Sequence, residues 1–266
     1  LGTFRGKPAV DIEVLIDVLL KVSDIACELP CVQELDINPL LVDQSGAVAL
    51  DARLVLGDGP LVPDATYSHL AIHPYPKALA RTHRLRGGET VLLRPIRPED
   101  AQAETRLVSR LSPETMYMRF HAPLRELTTE RLVRFTQIGY DREIAFVAID
   151  ASGEQEEIRG VARYTRMPDG FSCEFGVVIE DDWQGRGLGH ALMTALEETA
   201  RSRGLTEIIG YVLRDSEGMG RLMRGRGYLA TSAPDDEGVR RYVKRLIGGA
   251  PIGAVRALRG HATERG

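Results

Sequence analysis

The chain has 266 residues, of which 43% are hydrophobic and 27% are charged, and its formal net charge at pH 7 is −4. This composition indicates a globular protein long enough for two domains, and the acidic balance argues against a general nucleic-acid binder, which needs a basic surface. Three cysteines do not make a disulfide framework, and no apolar run approaches membrane-spanning length. We therefore expect a cytoplasmic protein with no nucleic acid and no membrane among its partners.

The first predicted domain, residues 1–60, combines a helix with two strands. One helix face is marked by apolar residues at the spacing of successive turns, namely Ile12, Leu15, Ile16, Leu19 and Val22. Strands are predicted at Val32–Ile37 and Ala47–Leu50, with a turn at residues 43–46 between them. The pattern predicts a partial α+β unit.

Residues 61–88 are predicted to be a proline-rich connector. Four prolines between Gly57 and Lys77 interrupt any regular pattern of apolar residues. Towards its end Arg81, Arg84 and Arg86 form a basic run, which is interpreted as a solvated linker or, alternatively, as a docking surface for an acidic partner.

The second predicted domain, residues 89–247, has mixed α/β order. Its strands are predicted at Val91–Arg94, Ile144–Ile149, Ile158–Arg163, Phe171–Ile179, Glu207–Leu213 and Tyr242–Leu246. Its helices are predicted to begin near Pro98, Pro113 and Thr129, and a long one covers Ala191–Arg203. The tail, residues 248–266, is rich in glycine, alanine and arginine and is expected to be weakly ordered.

The segment from Glu174 to His190 carries the main functional pattern. A short apolar strand leads into a loop with three glycines in five positions, followed by a helix whose apolar face contains Leu188, Leu192 and Leu196. Glycines let the backbone turn so that successive N–H groups point at one anion, and the positive end of the helix dipole favours phosphate. We expect a phosphorylated ligand here.

The glycine spacing separates the possible ligands. A dinucleotide fingerprint would need its third glycine at His190, and a nucleotide P-loop would need a lysine and a hydroxyl after its last glycine. Neither requirement is met. The pattern formed by Gln184, Gly187 and Gly189 instead resembles the acetyl-CoA loop of the GNAT N-acyltransferases, and the resemblance extends from about Thr90 to Leu246.

This resemblance implies the GNAT fold, acetyl-CoA as co-substrate and no requirement for a metal. It also implies that the cofactor is bound by Val177, Val178, Ile179, Gln184, Gly185, Arg186, Gly187, Leu188, Gly189, His190 and Ser216. Among these, a backbone N–H of residues 177–179 is expected to stabilise the oxyanion. Glu174 matches the family's catalytic glutamate and is the candidate general base.

Two positions depart from the family pattern. GNAT enzymes often follow the next strand with an asparagine and, seven residues later, a tyrosine that protonates the leaving thiolate. The corresponding residues here are Ser216 and Met223, and methionine cannot donate a proton. Either another group such as Tyr228 serves, or the thiolate leaves unassisted. Tyr228 itself is interpreted first as a core aromatic.

The N-terminal segment has its own motif, Glu34–Leu40, followed by Asp51. It resembles the end of an ATP-grasp domain of NDP-forming acyl-CoA synthetases, in which residues matching Asn38 and Asp51 hold magnesium. The groups that grip ATP lie upstream in such domains, so we predict no metal site here and a purely structural role for both residues.

An acyl-CoA synthetase region in front of a GNAT domain resembles the bacterial protein lysine acetyltransferases of the Pat type, and the chain is expected to be a C-terminal fragment of such a protein. The resemblance implies transfer of acetyl to a lysine of a protein substrate, an AMP-forming acyl-CoA synthetase. Two alternatives remain, an acetyltransferase acting on a small amine and a regulatory module that senses acyl-CoA without catalysis.

Overall fold

The computed structural model describes residues 11–43, 46–62, 67, 69–70, 73–120, 127–153, 155–233 and 238–246. The chain divides into two compact units, of which the first ends at Pro74 and the second begins at Tyr75. The predicted tail, residues 248–266, and part of the predicted turn at residues 43–46 lie outside the described ranges. Within those ranges, no helix is both long and apolar enough to span a bilayer.

The first unit is one helix followed by two antiparallel strand pairs. The helix α1, Ile12–Glu28, begins at Asp11, whose side chain accepts a hydrogen bond from the Glu13 N–H at 2.9 Å. The strands are β1 Val32–Ile37, β2 Leu40–Val42, β3 Ala47–Ala49 and β4 Ala52–Leu56. Since β1 pairs with β4 and β2 with β3, the two predicted strands are confirmed but are not paired with each other. The strands β2 and β4 were not predicted.

The second unit is built on one eight-stranded sheet. Its strands are β5 Arg81–Arg84, β6 Thr90–Pro95, β7 Glu143–Asp150, β8 Glu157–Arg166, β9 Ser172–Ile179, β10 Glu207–Leu213, β11 Leu229–Ser232 and β12 Val239–Arg245. Its helices are α2 Ala101–Arg110, α3 Pro113–Phe120, α4 Thr129–Thr136, α5 Leu188–Ser202 and α6 Glu217–Gly225. The strand order is β11-β12-β10-β9-β8-β7-β6-β5.

The middle of this sheet contains its one parallel strand pair among the described residues. β9 and β10 pair over only three positions, the last of which joins Glu174 to Ile209. Beyond that point β9 continues along β8 as far as Ile179, whereas β10 continues along β12 as far as Leu213. The two strands therefore part, and a cleft opens between their carboxyl-terminal halves.

Helices cover both faces of the sheet around this cleft. The side chain of Ile179 and the backbone of Gly189 in α5 approach closely on one face, while Gly176 lies against Arg119 of α3 on the other. The predicted apolar face of α5 is confirmed, because Leu188, Leu192 and Leu196 are at most 1% exposed. Burial of this face fixes the amino-terminal end of α5 beside the end of β9.

The second unit contains elements that the sequence did not predict. Part of the predicted connector, residues 81–84, is the edge strand β5, which pairs with β6. Its sequence, Arg-Thr-His-Arg, has no apolar alternation, because an edge strand exposed to solvent needs none. The short strand β11 and the helix α6 were also not predicted, whereas the helices near Pro98, Pro113 and Thr129 and the remaining strands are confirmed within a few residues.

Candidate active site

The cleft between β9 and β10 exposes strand backbone. Val177, Val178 and Ile179 pair with β8 on one side, and their other side faces the cleft, where β10 has moved away. Backbone N–H and C=O groups that lack a strand partner need another hydrogen-bonding partner. The structure therefore places these three predicted cofactor-binding residues where an extended polar chain can pair with them.

The glycine-rich loop closes the carboxyl-terminal end of the cleft. Gly185 and Gly187 have φ values of +73° and +95°, which a residue with a side chain rarely adopts. Gly187 is the N-cap of α5, and the first helical bond runs from the Ala191 N–H to the Gly187 carbonyl at 3.1 Å. The N–H groups of Leu188, Gly189 and His190 precede that bond, so they have no acceptor within the helix.

At Gly189, the third glycine of the loop, close packing leaves little room for a side chain. A Cβ on Gly189 would lie 3.0 Å from Ile179 Cδ1 and 3.2 Å from Leu222 Cδ2. A larger residue would push α5 away from the strand end. The predicted cofactor-binding loop is therefore held directly against β9.

Gln184 and Arg186, two residues predicted to bind the cofactor, have side chains that stabilise the conformation of the loop. The Gln184 amide nitrogen donates to the Ile179 carbonyl at 3.2 Å, which ties the loop back to β9. Arg186 donates to Glu89 Oε1 at 2.7 Å, and its guanidinium lies 5.3 Å from the Trp183 ring centroid. Their side chains support the loop shape, and their backbones form the loop.

His190 adds no positive charge at neutral pH. Burial lowers the pKa of His190 below its usual value, and the nearby positive charges of Arg226 and Arg86 lower it further. The imidazole is therefore neutral at pH 7, and the anion-binding capacity at the start of α5 comes from the backbone N–H groups and the helix dipole.

Two acids that precede the loop, Glu180 and Asp181, have structural roles. Glu180 is buried and pairs with Arg159 and Arg110 at 3.1 and 2.9 Å. Asp181 accepts hydrogen bonds from the Ser112 N–H and Oγ, both at 2.8 Å, which anchors the start of α3. Burial and pairing of this kind depend on distant residues that the local sequence does not reveal.

Glu174 lies at the point where β9 and β10 part. Its side chain is exposed, on the same face of β9 as Gly176. The Arg119 guanidinium packs against Gly176 so closely that a Cβ there would be 2.7 Å from Arg119 Cζ. Burial lowers the pKa of Arg119 to about 10, while the negative charges of Glu104 and Glu174 oppose that change. A carboxylate and a half-buried cation therefore flank the inner end of the cleft.

Glu104 on α2 is a site residue that was not predicted. It is 5% exposed, and its Oε2 has no hydrogen-bond partner among the described residues. Burial raises the pKa of Glu104 to about 7, although Arg163 and Arg119 act in the opposite direction. An acidic residue in a helix normally faces solvent, so the sequence carried no signal for a buried carboxyl group beside Arg119.

Tyr228 is not placed to act as a general acid. Its hydroxyl donates to Glu197 Oε1 at 3.0 Å, and Glu197 also pairs with Arg226 and Lys244 at 2.9 and 2.6 Å. Burial raises the pKa of Tyr228 far above its usual value. The interpretation of Tyr228 as a core aromatic is confirmed, since it is 4% exposed.

Met223 and Ser216 occupy the positions where the family pattern has tyrosine and asparagine. Met223 lies in α6 and is fully buried. Ser216 is the N-cap of α6, just beyond β10, and it lines a pocket of about 430 Å³. This pocket is also lined by Arg214, Arg221, Arg224 and Arg240.

In the first unit, Asn38 and Asp51 are neighbours. The Asn38 N–H donates to the Asp51 carbonyl at 3.1 Å, which closes the link between the two strand pairs. Among the described residues, no group of three or more histidine, cysteine, aspartate or glutamate side chains is arranged to hold a metal ion.

Both parts of the chain match families of known proteins. Residues 109–228 match the acetyltransferase (GNAT) family model, and residues 1–56 match the ATP-grasp domain model. The chain is 35% identical over 150 residues to Acetyltransferase PA5475 of Pseudomonas aeruginosa, which covers 56% of this chain and 80% of that protein. It is 31% identical over 141 residues to Acetyltransferase Pat of Mycolicibacterium smegmatis, which covers 53% of this chain and 41% of that protein.

A solved structure and a ligase subunit are also similar to parts of the chain. The crystal structure of the GNAT domain of S. lividans PAT matches with a TM-score of 0.60 and 26% identity, over 65% of this chain and 99% of that domain. The first segment is 46% identical over 56 residues to the acetate–CoA ligase [ADP-forming] I subunit beta of Pyrococcus furiosus, which is 21% of this chain and 24% of that subunit. The chain thus spans less than half of Pat and about a quarter of the ligase subunit.

The parted strands, the glycine-rich loop and the long helix behind it are features of a fold of the GNAT acetyltransferase type. The chain belongs to the GNAT acetyltransferase family and is an N-acetyltransferase of that type. Within the family it is related to the Pat acetyltransferases, and it carries an ATP-grasp fragment in front of the GNAT unit. Acetyl-CoA is the co-substrate of GNAT acetyltransferases.

Replacing Tyr228 by phenylalanine tests whether this hydroxyl protonates the leaving thiolate. Because the hydroxyl is bound to Glu197, we expect kcat within a few-fold of the wild type and a loss of about 1 kcal/mol in the free energy of unfolding. Steady-state kinetics and urea unfolding measure the two quantities. A hundredfold loss of kcat in a folded variant would assign the general acid to Tyr228.

Replacing Glu104 by glutamine tests the buried carboxyl group. The folded-state pKa of Glu104, about 7, exceeds its ordinary value of 4.5, so between these pH values the folded state holds a proton that the unfolded chain has released. Stability therefore falls as pH rises through this window, by up to roughly 3 kcal/mol for this group. Glu104→Gln removes that fall.

The measurement is urea unfolding at pH 5 and pH 7.5. The variant should gain stability relative to the wild type as pH rises, whereas the exposed control Glu114→Gln should not. Equal pH dependence in the wild type and Glu104→Gln would show that Glu104 titrates normally.

Proposed function

We propose that the chain transfers the acetyl group of acetyl-CoA to the ε-amino group of a lysine in a protein substrate, an AMP-forming acyl-CoA synthetase. The observation that carries the proposal is the position of Glu174 at one end of the exposed strand edge, with the glycine-rich loop at the other end. From Glu174 to Ile179 the strand spans roughly 16 Å, at about 3.3 Å per residue. An extended pantetheine arm has a similar length.

In this arrangement the phosphates of acetyl-CoA lie at the start of α5, and the pantetheine arm pairs with the backbone of Val177, Val178 and Ile179. The thioester then lies near Glu174. One of these backbone N–H groups donates to the carbonyl oxygen as it gains negative charge.

The acceptor amine must lose a proton. Making a lysine with a pKa near 10.4 neutral at pH 7 costs about 4.6 kcal/mol, and Glu174 accepts that proton directly or through one water. The amine nitrogen forms a bond to the acetyl carbon, and the C–S bond breaks. The thiolate, with an ordinary pKa near 8.5, leaves without a side-chain acid and takes a proton from solvent.

The protein substrate is supported by relatedness to Pat and to the GNAT domain of S. lividans PAT. The test is incubation of the chain with acetyl-CoA and a panel containing an AMP-forming acyl-CoA synthetase, polyamines and aminoglycosides, followed by mass mapping. Acetylated lysine on the synthetase supports the proposal. Turnover of small amines alone, or binding of acetyl-CoA without any transfer, would replace it with one of the two alternative functions.

Glu174→Gln should lower acetyl transfer at pH 7 by about a hundredfold or more, the usual scale for loss of a general base. Acetyl-CoA affinity should stay near that of the wild type, because the side chain does not contact the phosphates. The deficit should shrink as pH approaches 10, because a growing fraction of the lysine is then neutral without the help of a base.

The exposed Asp182, close to the loop but without an assigned role, supplies the control Asp182→Asn. Single-turnover rates with saturating acetyl-CoA measure the chemical step. A Glu174→Gln enzyme as fast as this control at pH 7 would remove Glu174 from the mechanism.

The first unit is proposed to serve packing or regulation without binding nucleotide. Magnesium is held by one or two carboxylates together with substrate phosphates, and Asn38 and Asp51 alone supply no grip on a phosphate. The double variant Asn38→Ala, Asp51→Ala should therefore keep acetyl transfer within a few-fold of the parent. Calorimetry with Mg-ATP checks this directly, and saturable micromolar binding that the double variant loses would identify a working nucleotide site.

A further inference from the structure

The hairpin formed by β5 and β6 is joined to the glycine-rich loop by a backbone hydrogen bond and an ion pair. It precedes the part of the chain that matches the GNAT family model, residues 109–228. At one end, Arg81 of β5 pairs with Glu198 of α5 at 2.6 Å. At the other end, the Arg86 N–H donates to the Arg186 carbonyl at 3.3 Å, and Glu89 holds the Arg186 guanidinium. The strand β5 therefore runs alongside α5, from Glu198 towards the amino-terminal end of the helix.

These contacts bring the Arg86 side chain to the N-cap of α5. Measured from the position of a Cβ on Gly187, the Cγ, Cδ and Nε atoms of Arg86 lie 3.6, 3.8 and 3.8 Å away. Arg86 is exposed, and its guanidinium has no hydrogen bond or ion pair among the described residues. Its donors are thus available beside the N–H groups that open α5.

The neighbouring cations are already engaged. Arg186 is paired with Glu89, and Arg226 is paired with Glu197 while also donating to the His190 carbonyl at 3.1 Å. Both guanidinium groups hold the protein together at this corner. Of these three arginines, Arg86 is the one whose guanidinium has no partner among the described residues.

We propose that Arg86 is a further co-substrate-binding residue, whose guanidinium pairs with a phosphate group of acetyl-CoA at the glycine-rich loop. The proposal rests on the proposed binding of acetyl-CoA in this cleft. Guanidinium is suited to the role because its planar donors bind two phosphate oxygens at once. The hairpin, which the sequence indicated as a solvated linker, is on this view part of the binding site.

The test compares three acetyl donors that differ in phosphate content: acetyl-CoA, acetyl-dephospho-CoA, which lacks the 3′-phosphate, and acetyl-pantetheine, which has no phosphate. For Arg86→Gln we expect kcat/KM with acetyl-CoA to fall about 10- to 100-fold, the range for loss of a hydrogen bond to a charged group. The change should appear in KM and in the calorimetric Kd, with kcat near the wild-type value. Acetyl-pantetheine should react equally with both enzymes.

Acetyl-dephospho-CoA identifies the phosphate. If Arg86→Gln penalises it as strongly as acetyl-CoA, the partner is the pyrophosphate; if the penalty disappears, the partner is the 3′-phosphate. Both results support the inference. Arg86→Lys should recover part of the lost affinity, because it keeps the charge but not the paired donors.

Arg84→Gln is the matched control, since Arg84 is an exposed arginine on the same hairpin and has no role in the proposal. Arg81→Gln removes the ion pair with Glu198 and shows what a general loosening of the hairpin does to binding. Wild-type affinity of Arg86→Gln for acetyl-CoA, or an equal loss with acetyl-pantetheine, would overturn the inference. Failure of the wild-type chain to bind acetyl-CoA would instead overturn the proposed function.

Discussion

The active-site cleft depends on the short parallel pairing of β9 and β10. After three paired positions each strand follows its antiparallel neighbour, and backbone groups on the inner edges are left without strand partners. The space between the strands is held open from the α5 side, where the Phe175 ring lies over Gly210 and meets Tyr228 edge to face at 5.6 Å. A side chain at Gly210 would collide with this ring. An extended ligand that hydrogen-bonds along β9 restores the pairing that β10 has given up.

Charge is distributed unevenly around the cleft. At the loop, glutamates neutralise Arg186 and Arg226, so the proposed anion site consists of backbone N–H groups, the helix dipole and Arg86, whose guanidinium has no partner in the described part of the chain. At the inner end, Arg119 and Arg163 are half-buried near Glu104, and burial raises the pKa of the Glu104 carboxyl group to about 7. The exposed Glu174 also lies at this inner end, where β9 and β10 part. Fixed dipoles and buried charges of this kind need no reorganisation when charge develops during transfer.

Known relatives match the two units to different extents. The GNAT unit contains the cleft, the loop and the candidate base, and its relatives cover it almost entirely. The ATP-grasp segment matches only a quarter of the ligase subunit it resembles, and its two motif residues meet through their backbones. The GNAT unit is related to the Pat acetyltransferases, which is why a protein substrate is the proposed acceptor.

The sequence alone determined the family, the loop and most elements, because those depend on local features: the glycine spacing after β9, the four-residue repeat of Leu188, Leu192 and Leu196, and the order of apolar runs. It did not reveal β5, the burial of Glu104, or the pairing of Glu197 with Tyr228. These depend on contacts between residues far apart in the chain, such as Arg81 with Glu198, which leave no local pattern. Only the tertiary structure decided which arginines at the loop are neutralised, because ion pairing is set by three-dimensional neighbours and not by position in the sequence.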